Sequence, residues 1–237
     1  MKKADYGIDA PGVIRNLLVI GAGLLAAAGV LRHFGISFQY ACFWTGAALI
    51  AEGILMLAYS KWGKLRHRDR MLALHDWHGG EQVLDVGTGR GLLLIGAAKR
   101  LTAGKAIGID IWNAEDLSGN ARERTERNLA VEGVAARCTL LSEGAQKMEF
   151  ADGSFDVVVS NLCLHNLYDR VERRKAVMEI ARVLKPGGTA ILSDYKKTGE
   201  YANWLREAGL TVKRRMPNLL TTFPPLTVIT AQRKRGG

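Results

Sequence analysis

Between Leu17 and Leu31 the chain carries no charged residue, and after a short polar break at Arg32, His33 and Gly35 a second apolar stretch runs from Ile36 to Tyr59. Each stretch approaches the ~20 residues that a helix needs to cross hydrocarbon. Two such segments joined by a tight turn satisfy their backbone groups in lipid only as a helical hairpin. The expected spans are about 13–31 and 36–59, within a first unit of residues 1–60. Val13 and Ile14 extend the first span back past Arg15 and Asn16, and Gln39 and Glu52 are the strongly polar interruptions of the second. In an antiparallel hairpin Arg15 or Asn16 would meet Glu52 near the same membrane face, which makes a structural pairing the expected role of that acid. Small residues at helical spacing, Gly23 with Ala27 and Ala47 with Ala51, would let the backbones approach closely and would equally serve pairing between copies of the chain.

Met1-Lys2-Lys3 and Ala26-Ala27-Ala28 imitate the flanks of a secretory signal. The second span opposes that reading, since cleavage would still leave an anchor. A basic run, Lys61, Lys64, Arg66, Arg68 and Arg70, follows at once and holds what comes after it in the cytoplasm by the positive-inside bias. An integral membrane protein with a cytoplasmic domain is therefore expected. The formal net charge of +10 draws also on Lys213-Arg214-Arg215 and Arg233-Lys234-Arg235. Beside an apolar hairpin such clusters suit anionic lipid headgroups; nucleic acid is not expected, because no aromatic and basic residues interleave. Cys42, Cys138 and Cys163 form neither a CxxC pair nor an even framework, so no metal site or disulfide scaffold is expected.

Past Lys61 the pattern changes. Residues 61–80 read as a basic linker helix with Leu65, Met71, Leu72 and Leu74 along it. Val83-Leu84-Asp85-Val86 then reads as a short buried strand, followed directly by Gly87-Thr88-Gly89-Arg90-Gly91 and an apolar helix over Leu92–Leu101. Glycines at a strand-to-helix turn permit positive φ and close approach of backbone to a ligand. Ala106 to Ile109 forms a second strand ending on Asp110, whose carboxylate can accept both hydroxyls of a ribose. Asp85, beside the glycines, suits a ligand that carries cationic groups.

These segments resemble the class I S-adenosylmethionine-dependent methyltransferases over nearly all of the chain from about His75 to Arg233. Val83 to Gly91 is similar to the family's first motif, which implicates Asp85, Gly87, Thr88, Gly89 and Gly91 in cofactor binding. Gly108-Ile109-Asp110 is similar to the acidic ribose-binding strand end, with Ile111 and Trp112 placed to flank adenine. Ser154 to Asn161 resembles the fourth strand, and Ala181 to Gly188 the helix end and turn before the fifth. Where relatives often have Gly-Asp-Ala this chain has Glu143-Gly144-Ala145, so the resemblance implies that Glu143, or Gln146 with backbone groups, meets the adenine. The implied fold is α/β, a Rossmann-like doubly wound sheet with an antiparallel edge made by Thr211–Met216 and Thr227–Gln232, occupying 81–237 behind the hairpin.

In such a domain a nucleophile attacks the sulfonium methyl in line, and the protein aligns reactants and manages a proton. Asn161 and His165 after the fourth strand, and Asp194 and Tyr195 after the fifth, stand where open sheets expose their carboxyl ends. His165 is the first catalytic candidate by its titration range, followed by Tyr195 and Asp194; Cys163 reads as a packed residue. The hairpin favours a lipophilic acceptor: a lipid headgroup, an isoprenoid or quinone, or a small apolar thiol or phenol. A membrane-tethered cofactor sensor without turnover is the alternative. Because the expected cofactor contacts begin at Asp85, removal of residues 1–59 is expected to reduce turnover of the acceptor more than affinity for the cofactor.

Overall fold

The computed structural model describes residues 3–113, 117–217 and 221–235. Pro11 opens α1 (Pro11–His33), its fixed φ and missing N–H being harmless at the first helical position. Gly35, at φ 69°, turns the chain into α2 (Gln39–Ala58). The buried stripe of α1 is Ile14, Gly21 and Ala28, and that of α2 is Cys42, Gly46 and Gly53. A Cβ on Gly46 would sit 2.8 Å from the Gly21 carbonyl oxygen, whereas one on Gly23 would meet nothing within 4 Å. The close approach therefore runs through Gly21 and Gly46, not through the expected Gly23–Ala27 and Ala47–Ala51 pairs, which sit a fraction of a turn away. The same rotation corrects the expected partner of Glu52. Gly53 takes the inward position against Leu17 and Leu18, so Glu52 is exposed and forms no ion pair among the described residues, while Arg15 bonds to Asn16.

Both helices are long and apolar enough to cross a membrane, and only 17% of each apolar window is buried, unlike the core helix of a soluble domain. The second does not stop at Ala58. A π-helical turn over Tyr59–Gly63 carries it into α3 (Lys64–Leu72), giving one helix over Gln39–Leu72. The expected linker helix over 61–80 is thus shorter and continuous with the span. It ends because the Trp77 indole N–H takes the Leu72 carbonyl at 2.7 Å and the Glu81 carboxylate accepts from the His78 and Gly79 N–H groups.

The sheet follows: β1 (Gln82–Val86), β2 (Lys105–Asp110), β3 (Cys138–Ser142), β4 (Phe155–Asn161), β5 (Leu184–Asp194), β6 (Thr211–Arg215) and β7 (Thr227–Gln232), in the order β3-β2-β1-β4-β5-β7-β6. The first five strands are parallel, and β7 runs antiparallel between β5 and β6. The side-chain period of two divides the strands between two cores. Val83, Val157, Val159 and Ile191 pack under α3, α4 (Leu92–Ala98) and α5 (Arg122–Val131), and Leu84, Val158, Ala190 and Leu192 pack under α6 (Arg170–Val183) and α7 (Thr198–Glu207). This mixed sheet with helices on both faces is Rossmann-like. The fifth strand starts inside the Ala181–Gly188 segment expected as helix end and turn, because Arg233 and the Gly187-Gly188 backbone exchange hydrogen bonds that draw the turn into the ladder.

Glycine spacing at one interface yields a paired prediction. Gly46→Val should cost about 1–3 kcal/mol of stability in detergent by overpacking the α1–α2 contact, while Gly23→Val should leave the melting temperature near wild type. Equal melting temperatures for the two variants would reject this interface.

Candidate functional site

Asp85, one residue before the end of β1, and Asp110, the last residue of β2, stand on neighbouring strands, and the glycine turn is built on their carboxylates. Asp85 is 1% exposed, and its Oδ2 accepts from the Thr88 hydroxyl at 2.8 Å and from the Leu94 N–H at 2.9 Å. One oxygen of the expected cation-facing carboxylate thus organises the turn itself. Burial pushes Asp85 up to about 7, against the lowering effect of its hydrogen bonds. Gly87, Gly89 and Gly91 all have positive φ, and a Cβ on Gly87 would collide with the Cys163 sulfur. Cys163 is a packed residue here; burial drives its thiol far up, away from thiolate chemistry.

Asp110 draws the segments beyond β1 and β2 together. Its Oδ2 accepts from the Gly89 N–H at 2.7 Å, and its Oδ1 from the Trp112 N–H at 2.6 Å and the Asn120 amide at 3.3 Å. Trp112, at φ 59°, turns its indole N–H to Ser142 at 2.9 Å, and Ile111 is 69% exposed beside it. The Glu143 carboxylate bends back to the Glu149 N–H, and the Gln146 side chain lies across Gly144 ahead of buried Ala145.

At the ends of β4 and β5 stand the expected proton-handling groups. Asp194 is 2% exposed. Its Oδ2 accepts from the His165 N–H at 3.1 Å and the Tyr201 hydroxyl at 3.2 Å, and its Oδ1 from the Tyr195 N–H at 2.8 Å. The His165 Nδ1 lies 2.8 Å from Asp194 Oδ1, off the line of a straight hydrogen bond, and the ring meets Tyr195 edge-on at 4.7 Å. His165, Asp194 and Tyr195 are therefore in mutual contact. The Asn161 Oδ1 is buried with no hydrogen-bond partner. That orphaned acceptor, the glycine cradle and the strand-end carboxylate Asp110 fit a ligand that brings N–H and hydroxyl donors, as S-adenosylmethionine does.

Sequence reasoning missed the segment that clasps this site from outside. Residues 5–9, which lead into α1, pair with the chain beyond β2: the Ile8 N–H reaches the Ser118 hydroxyl at 2.8 Å, the Ser118 N–H the Ile8 carbonyl at 3.0 Å, and Asp9 bridges Leu117. Asp5 pairs with Arg90 of the glycine turn, and the Asn128 amide spans the Asp5 and Arg90 carbonyls at 2.9 Å each. This strap is fastened to α3 by Lys64, whose ammonium reaches the Tyr6 and Gly7 carbonyls at 2.7 and 2.6 Å. The glycine turn is thus backed by residues that precede the hairpin, a support that the expected cofactor contacts do not include. The signal available was Asp5 itself, an acid just ahead of an apolar span.

Lys64 and Arg233 are likewise withdrawn from the expected lipid-facing set, Arg233 capping the end of α6 through the Leu184 carbonyl at 2.8 Å; Lys61, Arg66 and Arg70 stay exposed. Among the described residues no cluster of metal ligands occurs.

Comparison with known proteins agrees with this geometry. Residues 84–192 match the family model described as a methyltransferase domain. The chain is 34% identical over 118 residues to sterol 4-C-methyltransferase strm-1 of Caenorhabditis elegans, covering 50% of this chain and 32% of that protein. It is 31% identical over 114 residues to the ubiquinone/menaquinone biosynthesis C-methyltransferase UbiE of Geotalea daltonii, covering 48% and 45%. The chain thus spans less than half the length of either relative. A solved SAM-dependent methyltransferase from Aquifex aeolicus superposes with a TM-score of 0.56 at 22% identity, over 71% of this chain and 90% of that one, a likeness of fold.

Two measurements probe the strand-end acids. The unfolded-state value of Asp85 is near 3.8 and the folded value about 7, so the ionised carboxylate disfavours the fold progressively as pH rises between them. Asp85→Asn, whose amide oxygen can still accept both bonds, should gain melting temperature over wild type from pH 5 to pH 8, with the gap closing below pH 4; a pH-independent gap would contradict the burial effect. Asp110→Ala should weaken S-adenosylmethionine binding by about a hundredfold in calorimetry, the loss of charge-assisted bonds to two hydroxyls, and unchanged affinity would move the ribose elsewhere.

Proposed function

We propose, from the premise that residues 84–192 form an S-adenosylmethionine-dependent methyltransferase domain, that this chain methylates a lipophilic acceptor held at a membrane surface. One observation carries the reading: the apolar helix α2 continues without a break into α3, which packs on the catalytic domain. Gly96 of α4 makes room for that packing, since a Cβ there would meet Arg68 and Leu72 at 2.6 and 2.7 Å. His67 of α3 lies on the end of β5, its Nε2 2.7 Å from the Ser193 hydroxyl. His67 lies nine helical steps beyond Ala58, a rise of about 13 Å. If α1 and α2 cross the bilayer, the carboxyl edge of the sheet lies close to its surface, and an acceptor dissolved in lipid reaches the strand ends without crossing water. Lys61, Arg66 and Arg70, exposed on the same helix, suit the anionic headgroups of a cytoplasmic leaflet.

The bound cofactor supplies an activated methyl group. The chain supplies position and proton management. Asp110 and the glycine turn hold the nucleoside end, with Ile111 and Trp112 beside the adenine, and Asn161 offers its free carbonyl to a donor. Asp194 turns the His165 Nδ1 inward, which leaves Nε2 to take a proton from an acceptor O–H, N–H or S–H. Tyr195, 43% exposed against the His165 ring, forms an apolar wall for that acceptor.

A membrane extract incubated with labelled S-adenosylmethionine and the full chain should yield a methylated product that partitions into the organic phase. The decisive variant excises the hairpin and keeps the strap. The Asp9 N–H and the Ser60 hydroxyl are 3.1 Å apart, so residue 10 can be joined to residue 59 by a short glycine linker. Its cofactor affinity should stay within about threefold of wild type, while turnover of the vesicle-borne acceptor falls at least about tenfold for want of a tether. Full turnover in lipid-free solution would make a water-soluble acceptor the better reading, and cofactor binding without product across lipid panels would favour a sensor.

A further inference from the structure

Asn161 and Ser193 are the last register pair of β4 and β5. The side chains of both lie against a histidine that comes from outside the sheet: His67 of α3, 4% exposed, contacts Ser193 through Nε2, and its ring lies beside Asn161. Among the described residues no acid faces this ring, and burial, aided by the Arg70 charge, holds it neutral, down at about 4. A neutral imidazole donates at one nitrogen and accepts at the other, so it can fix a hydroxyl without bringing a charge to the strand ends. The Asn161 side chain lies within hydrogen-bonding reach of the His67 ring, yet its Oδ1 is buried with no partner at full hydrogen-bond geometry, one of few such side-chain oxygens among the described residues. The residue after Ser193 is Asp194, which holds His165, and the Leu162 N–H donates to the Ser193 carbonyl at 2.9 Å. Ser193 thus joins the two loops that carry the polar groups of the site.

We propose that His67 is a positioning residue of the methyl-transfer site: from the helix that leaves the second apolar span, it fixes the Asn161–Ser193 pair so that the Asn161 carbonyl remains available to a donor of the bound cofactor. The proposal rests on the methyltransferase reading, and it makes the helix rising from the hairpin a structural part of the cofactor site. His67 acts through its neighbours and touches neither reactant.

The test measures S-adenosylmethionine affinity by calorimetry on the full chain in detergent for wild type, His67→Phe, His67→Gln, Asn161→Ala and the His67→Phe/Asn161→Ala pair. His67→Phe fills the same space without the hydrogen bond and should lose about three- to tenfold, the worth of one neutral hydrogen bond. His67→Gln, whose amide can still bond Ser193, should recover most of that loss. The double variant should bind no more weakly than Asn161→Ala alone, since His67 acts through Asn161. Additive losses, wild-type affinity in His67→Phe, or a folded His67→Gln as weak as His67→Phe would each overturn the inference while leaving the methyltransferase reading intact. Wild-type affinity in Asn161→Ala would overturn it too, by removing the group through which His67 acts. A wild-type chain without affinity for S-adenosylmethionine would instead remove the reading on which it rests.

Discussion

A lysine ammonium buried at the foot of the hairpin joins the parts of this molecule. Lys64 is 4% exposed and is held by the Tyr6 and Gly7 carbonyls, with the Asp9 carboxylate at 3.5 Å. Burial pulls its proton affinity below that of a free lysine, and the Asp9 charge works in the opposite sense. An ammonium out of water is tolerated only while such partners stay in place, and removing one leaves a charge with nothing to answer it. The strap before α1 and the helix after α2 are therefore committed to each other at one point. From that point the strap runs to Arg90 and the glycine turn, and α3 runs to His67 and the ends of β4 and β5. Two chain segments far apart in sequence thus brace opposite sides of one site.

The site itself is a row of acids at strand ends, each with a different assignment. Asp85 is buried and turned inward to the Thr88 hydroxyl and the Leu94 N–H, so it shapes the turn. Asp110 is less enclosed and accepts from one group of the glycine turn and two of the loop after β2, which ties the two together. Asp194 gathers the two loops after β4 and β5 and presents His165. A parallel sheet collects these groups at its carboxyl edge as a matter of topology. Their differences come from depth and from which N–H groups lie near.

Much of this could be read before any fold was seen, for physical reasons that also mark the limits. The strand–glycine–helix run from Val83 to Leu101 and the acid at Asp110 were legible because backbone conformation there depends on neighbours in sequence. The placement of His165, Asp194 and Tyr195 beyond β4 and β5 was legible because a parallel sheet brings its strand ends to one edge, and the structure puts the three in contact. The rotation of α1 against α2 was not. Gly21 and Gly23 are equally small, and only the packed partner decides which of them faces inward. The roles of Asp5, Lys64 and His67 were hidden for the same reason, since each is defined by a partner more than fifty residues away. Lys64 read as one more member of a basic run because a list of residues does not distinguish a buried charge from a solvated one.

The unbroken helix from Gln39 to Leu72 has a geometric corollary. A flexible linker would give the catalytic domain a reach but no bearing; a stiff stalk gives it both. Along an α-helix each residue adds about 100° of rotation, so the azimuth at which the strand ends look out is set by the number of residues between the hairpin interface at Gly53 and the sheet contact at His67. Helical phase, as much as helix length, then determines which way the mouth of the site points.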